Sequence, residues 1–447
     1  MASNRQRIWA TTFAAGATSL CWLWLLPFST LPWLVAFLVA VSAVIALYRR
    51  NFDSIAGEML LMAVAMVLIV GVAVDVAQFC PDGDFENPTL ANPDSYRLFT
   101  AALQLYNGEE ITVIMAYRGI PALLSAIWHI TGITIFAPLL LSVLLTLAAI
   151  ALTSGIARHI LPHLSQRYHI LAMALCAACC YYVGCGMLIL KEPYLFFGVS
   201  LAVYAMAARC WWCFAIAVAV IAPVRDGVLY YFLLVLPLFI SRKDWKPAAV
   251  GIAIVFAGLL LGELLTIENN TRYIDGTLGN TTFTSDYLAN PNHSTFNSIF
   301  ADYYSSPLWL RVLMLPVTCG VQFLVPFPFD FTKYWDFGYT QSYSQFTFPW
   351  YIMGGILLFF IYRMIASPRR EPLWRWGVLA IISFVVPAYM FAGSVSRYWL
   401  PFMPLYAVLI TATIQRLTCG CRRQFAIFYS AYLVLLVAAL IAAALMM

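Results

Sequence analysis

Charge is what this sequence has least of. Lys and Arg number 25 and Asp and Glu 20 in 447 residues, so 10% of the chain is charged while 63% is hydrophobic. Mean hydropathy reaches +0.84. A soluble domain carries roughly 25% charged residues, and a chain this poor in them cannot coat a water-facing surface. That excludes a soluble enzyme and a disordered chain. It also excludes a nucleic-acid binder, because a net charge of +5 is no basic stripe. A disulfide framework is missing too. Most of the 11 Cys, among them Cys21, Cys176, Cys179, Cys180, Cys185, Cys210 and Cys213, lie in apolar runs where Cys behaves as a small hydrophobe. Cys176-x-x-Cys179 has no His or carboxylate beside it and does not read as a metal site. Internal repeats and low-complexity tracts are absent, which disfavours transporters built from duplicated halves.

What the sequence has in abundance is apolar length, with 16% aromatic residues suited to repeated crossing of membrane interfaces. A crossing helix needs roughly 20 apolar residues. The spans expected are 9–28, 32–48, 57–79, 133–156, 169–190, 193–208, 211–224, 226–240, 247–267, 350–366, 373–392, 398–416 and 424–446. The fold class expected is therefore an all-α polytopic membrane protein of about 13 transmembrane helices. The Met1–Arg7 start has a signal-like basic region, but no clear small-residue cleavage site follows, so it reads as the lead-in to a first helix.

Orientation follows from Lys and Arg. With the N-terminus in the cytoplasm, Arg5, Arg7, Arg49, Arg50, Arg158, Arg209, Lys243, Arg363, Arg416 and Arg422 all fall on the inner side. The apolar segment 309–326 would break this alternation by spanning, so it is expected to lie on or dip into the outer leaflet. Nearly all acids then gather outside. Two outer segments, 80–132 and 268–348, are long enough to fold, the first with amphipathic stretches at 94–106 and 113–130. The chain divides into an N-terminal hairpin (1–56), a membrane module (57–267), a second outer loop region (268–349) and C-terminal helices (350–447).

Candidate chemistry collects at that outer pole. Pro93-Asp94-Ser-Tyr96-Arg97 reads as a helix start with Asp94 near the N-cap, where the helix dipole favours an ionised carboxylate. A carboxylate at the membrane–water boundary suits a general base, and it equally suits a plain cap. Asp82-Gly-Asp84 reads as a divalent-cation pair or, preferably, as an Asp-Gly turn. Lys191-Glu192-Pro193 and Arg225-Asp226-Gly227 each sit between apolar runs with no room for a loop. Ionisable groups at that depth are functional by default. The alternative is a set of mutual ion pairs, Lys191 with Asp226 and Arg225 with Glu192. Arg118 and Arg397-Tyr398 add further cations, and Arg is the side chain best shaped to hold phosphate. Such a set suits a lipid-linked phosphate donor, and it also suits a transport path.

Asp94-Ser-Tyr-Arg97 with the following Phe99–Gly108 run resembles the first outer loop of GT-C glycosyltransferases. Tyr117-Arg118-Gly-Ile-Pro121 is similar to their next juxtamembrane element. Lys191-Glu-Pro is similar to their Ser-Lys-Asp/Glu turn, and Ala222-Pro-Val-Arg225-Asp-Gly to their Arg-Pro/Glu-x-Gly turn. Val325-Pro-Phe-Pro-Phe329 and Arg397–Pro404 resemble late features of the same family. The resemblance implies two extracytoplasmic loop regions carrying juxtamembrane helices and a polyprenyl-phosphate-linked sugar donor. The implied acceptor is an envelope glycan, a glycolipid or an exported protein. Asp94 falls at the family's catalytic base, with Asp82 and Asp84 as rivals for that role and as the ligands of any divalent cation. Tyr96, Arg97, Arg118, Lys191, Glu192, Arg225, Asp226, Arg397 and Tyr398 fall at substrate-binding positions. The implied location is the bacterial inner membrane, with the site facing outward. A Wzy-like polymerase or ligase and a lipid-linked solute transporter or flippase are the competing readings.

Overall fold

Within a bilayer no water is available to backbone N–H and C=O groups, so an open chain satisfies them only by coiling into helices. In the computed structural model, residues 54–79, 93–113, 118–239, 246–265, 306–324, 339–367, 371–390, 398–418 and 421–446 are described, with isolated positions between 39 and 48. Every regular element among them is helical. Six helical segments are long and apolar enough to cross a membrane, and five shorter apolar helices accompany them. The chain is a multi-pass membrane protein. The expected first span, 9–28, lies outside the described residues, so the count of 13 is not reached among them.

The helices are α1 (Ile55–Phe79), α2 (Pro93–Tyr106), α3 (Gly119–Thr131), α4 (Phe136–Ile160), α5 (Gln166–Ala177), α6 (Cys180–Gly186), α7 (Glu192–Ala208) and α8 (Trp211–Arg225). There follow α9 (Leu229–Val235), α10 (Lys246–Leu265), α11 (Leu308–Leu324), α12 (Tyr339–Ala366), α13 (Trp374–Met390), α14 (Met403–Thr418) and α15 (Arg422–Met446). Most lie within a few residues of the expected runs. The expected span 169–190 is instead two helices, broken at Ala178 and Cys179. Hydropathy is blind to that break, because both sides of it are apolar. The segment after Asp226 alternates short 3-10 turns with α9, and Pro237 stands inside the second turn. The expected span 350–366 begins earlier, at Tyr339, and runs through Pro349.

Buried hydroxyls on α4 are satisfied within the helix. Ser142, Thr146 and Thr153 donate to the carbonyls of Pro138, Ser142 and Ala149 at 3.1, 2.9 and 3.1 Å. This lets small polar residues line a helix–helix contact without an orphaned group. Across it, Gly155 faces the Tyr204 ring, which also packs on His159, so α4 and α7 run parallel.

The bundle sorts its charges by end. Arg209 turns the chain from α7 into α8, and Trp211 there packs on Gly251 near the start of α10. Arg158 and His159 close α4 at the same end. The Arg416 side chain, at the end of α14, clasps Glu371 through two hydrogen bonds, Nη2 donating to Oε1 at 2.7 Å and Nη1 to Oε2. Glu371 also accepts from the Leu373 N–H at 3.2 Å, which ties the start of α13 to the end of α14. The Glu371→Gln variant should lose about 1–3 kcal/mol of stability, because the half-buried Arg416 keeps its charge and loses its partner. Thermal unfolding in detergent would register the loss as a lowered Tm.

Candidate functional site

The opposite end is built around the place where α8 stops. Pro223 has no N–H to give, so Ala219 loses its partner in the helix and the last turn loosens. Two residues later Arg225 takes an extended backbone, φ −169° and ψ 88°, and Asp226–Val228 continue as a 3-10 turn. The break aims the Arg225 side chain off the helix axis. Its guanidinium Cζ stands 4.1 Å from the centroid of the Tyr398 ring, a cation–π contact in which both residues are buried. A desolvated contact of this kind is worth about 2 kcal/mol and holds the guanidinium plane in one orientation. Tyr231 lies within electrostatic reach of both Arg225 and Tyr398, and its ring packs 5.5 Å from Phe402.

Two glycines let neighbouring helices close on this point. A Cβ on Gly119, at the start of α3, would lie 2.3 Å from the Pro223 carbonyl oxygen. A Cβ on Gly262 of α10 would lie 2.6 Å from that of Asp226. Gly258, one turn earlier, faces Val218 and Leu229, so Gly258-Leu-Leu-Leu-Gly262 forms the small-residue stripe on which α10 approaches α8. The Arg118 N–H donates to the Leu265 carbonyl at 3.1 Å, sealing α3 to the end of α10.

Lys191 and Glu192 open α7 at this same end, because α7 and α8 are antiparallel neighbours joined by a two-residue turn. Glu192 occupies the first turn, with Pro193 beside it, where the helix dipole favours an anion. It is only 3% exposed, and its Oε2 has no hydrogen-bond partner among the described residues. A buried carboxylate oxygen left without a donor is costly, which makes this position a candidate to meet a ligand's donor group. The Arg225–Glu192 ion pair, one of the two readings of these charges, is not formed among the described residues. The Arg225 guanidinium stands over the Tyr398 ring.

Behind Tyr398 the wall is aromatic. Trp399 stacks on Phe384 at 4.4 Å and packs at a tilt against Trp350 at 4.6 Å, and Tyr406 and Phe323 extend the cluster. The Trp350 indole N–H donates to the Phe323 carbonyl at 2.9 Å, and Ser383 hydrogen-bonds the Tyr406 hydroxyl. Beyond this wall an apolar cavity of about 370 Å³ runs between α11, α12, α13 and α15, lined by Phe323, Leu358, Ile381, Phe384, Tyr432 and Leu435.

The segment between α1 and α4 contributes two packed helices. Phe99 meets Trp128 edge-on at 5.0 Å, and Tyr106 stacks on His129 at 4.6 Å. α2 begins at Pro93, so Asp94 is in its first turn rather than at the N-cap. The Asp94 side chain lies outside the described residues, as do Asp82, Asp84 and Arg397 entirely. Tyr96 and Arg97 are exposed on α2, and Arg118 is exposed at the foot of α3. Among the described residues no group of three or more His, Cys, Asp or Glu converges to hold a metal.

The structure thus brings Arg225, Asp226, Tyr398 and the Arg118 backbone together, with Lys191 and Glu192 at the same end. Sequence reasoning missed Tyr231, the Trp350–Trp399 wall and the two glycine contacts. The Gly258–Gly262 spacing was the legible signal for one of those contacts. No protein-family model and no curated protein matches the chain. Among solved structures it is similar to ArnT from Cupriavidus metallidurans bound to undecaprenyl phosphate, at 15% identity over 88% of this chain and 73% of that one, with a TM-score of 0.45.

The Gly119→Ala variant should lose about 1–3 kcal/mol of stability, because its Cβ meets rigid backbone at Pro223 rather than a side chain that can swing away. Gly320→Ala, whose Cβ meets nothing within 4 Å, is the matched control in the same thermal-unfolding measurement.

Proposed function

We propose that the chain is a GT-C-type membrane glycosyltransferase that takes a sugar from a polyprenyl-phosphate-linked donor. The observation that carries this reading is the buried Arg225 guanidinium, clamped on Tyr398 at one end of an apolar bundle. A lipid phosphate needs a cation held at membrane depth beside apolar volume for its tail. Arg225 supplies the first, and the cavity behind the Trp399 wall has the lining the second requires.

In the proposed reaction the sugar C1–O bond to phosphate breaks and its electron pair goes to the lipid phosphate. Arg225, Lys191 and Arg397 stabilise that departing charge. The acceptor hydroxyl oxygen forms the new bond to C1, and its proton passes to Asp94 as general base. The donor is lipid-linked, and the acceptor belongs to the envelope as a glycan, a glycolipid or an exported protein. The site faces the exterior of a bacterial inner membrane, because the Arg225 end is opposite the end where Arg158, Arg209, Arg416 and Arg422 gather. Transport is the weaker reading, since the ionisable groups collect at the ends and not along a path between them.

Asp94→Asn should abolish transfer from a radiolabelled polyprenyl-phosphate sugar while donor binding stays nearly unchanged. Full activity in that variant would remove Asp94 as the base and direct attention to Asp82 or Asp84. Arg225→Lys keeps the charge and loses both the planar fork and the stack on Tyr398, so donor affinity should fall roughly tenfold. Unchanged binding of the polyprenyl phosphate to Arg225→Lys would refute the phosphate role.

A further inference from the structure

The other end of α8 carries a second chemical feature. α7 ends at Ala208, and Arg209 follows in the left-handed conformation, φ 56°, the one non-glycine residue with positive φ among those described. The next N–H, that of Cys210, reaches back to the Ala205 carbonyl at 2.9 Å and completes a Schellman-type stop. Cys210 is at the same time the N-cap of α8, with an extended backbone, φ −98° and ψ 90°. Cys213 lies three residues on, in the first turn. Their sulfurs are hydrogen-bonded at 2.9 Å, and both side chains are partly exposed. A disulfide bond length is about 2.05 Å, so closing the pair shortens the sulfur separation by less than about 1 Å.

We propose that Cys210 and Cys213 form a reversible dithiol–disulfide pair, a modification site for small-molecule disulfides at the end of the bundle opposite Arg225. The helix N-terminus presents backbone N–H groups to an anion on Cys210. The hydrogen bond with the Cys213 thiol, then those from the N–H groups of Cys213 and Trp212, hold the Cys210 thiol below the ordinary cysteine range against the opposing effect of burial. Tyr204 of α7 lies within electrostatic reach of both cysteines and of Arg158 on α4. A second pair of the same spacing, Cys176 and Cys179, is an internal contrast. It sits at the C-terminal end of α5 and is buried, at 1% and 0% exposure, so spacing alone does not make the site.

The exchange balances without any further reagent. The Cys210 thiolate attacks one sulfur of the disulfide RSSR, forming Cys210–S–S–R and releasing RS⁻. Cys213 then gives up its proton to solvent, and its thiolate attacks the Cys210 sulfur and expels the second RS⁻. The protein dithiol loses two electrons, and RSSR gains them as two thiols. This assignment is independent of the proposed glycosyl transfer.

The test uses the full-length protein, reduced and reconstituted in nanodiscs, then equilibrated with excess oxidised glutathione. Remaining thiols are capped with N-ethylmaleimide, and peptides are read by mass spectrometry. The peptide spanning positions 210 and 213 should lose both alkylation sites, become two hydrogens lighter, and recover both sites after dithiothreitol. Cys176 and Cys179 should remain unmodified. Cys213→Ser should stop at a glutathione adduct on Cys210, whereas Cys210→Ser should form an adduct on Cys213 roughly tenfold more slowly. The proposal is overturned if the wild-type peptide keeps both alkylatable thiols after equilibration. It is equally overturned if the two single variants form adducts at the same rate.

Discussion

Two absent side chains, at Gly119 and Gly262, allow α3 and α10 to close on the point where Pro223 ends α8. The candidate site depends on that approach. Where the last turn of α8 is released, Arg225 adopts an extended backbone and its guanidinium leaves the helix axis for the Tyr398 ring. Without the glycines the neighbouring helices would stand further away, and the broken end of α8 would open to lipid or water. A guanidinium there would hydrate and lose the fixed plane that makes it useful. Close packing of backbone on backbone is the means by which a bundle with little charge can keep one cation buried and oriented.

The same scarcity governs the rest of the molecule. Hydroxyls inside the bundle turn back onto their own helices, as on α4, and the buried carboxylate Glu371 is held by Arg416. Glu192 departs from that pattern, with an oxygen left without a hydrogen-bond donor among the described residues. This open carboxylate oxygen stands at the same end of the bundle as Arg225. α8 connects the two chemically distinctive ends, with a thiol pair at its first turn and a broken last turn 15 residues along the same helix.

Much of the architecture was legible because hydrophobic length is a direct physical requirement of crossing a bilayer. The runs at 57–79, 193–208, 211–224 and 247–267 are observed as α1, α7, α8 and α10. The break inside 169–190 was illegible, since apolar residues on both sides carry no trace of a discontinuity. The grouping of Arg225 with Asp226 at a helix end was visible from Pro223 and Gly227 as breakers. The Arg225–Glu192 ion pair, by contrast, was an inference from opposite charge, and the aromatic ring of Tyr398 took the cation instead.

The sequence by itself determined that the chain is an all-helical, multi-pass membrane protein with its cations sorted between two ends. Those properties follow from hydropathy and from the cost of charge in hydrocarbon, which act residue by residue. Only the tertiary structure decided that Arg225 stacks on Tyr398, 173 positions away in the chain, and that Gly119 and Gly262 clear the space for it. Likewise, only the structure distinguished Cys210–Cys213 from Cys176–Cys179, since the two pairs have identical spacing and differ in which end of a helix they occupy. Contacts between distant segments depend on how helices approach one another, and no local pattern encodes the orientation of a side chain across that gap.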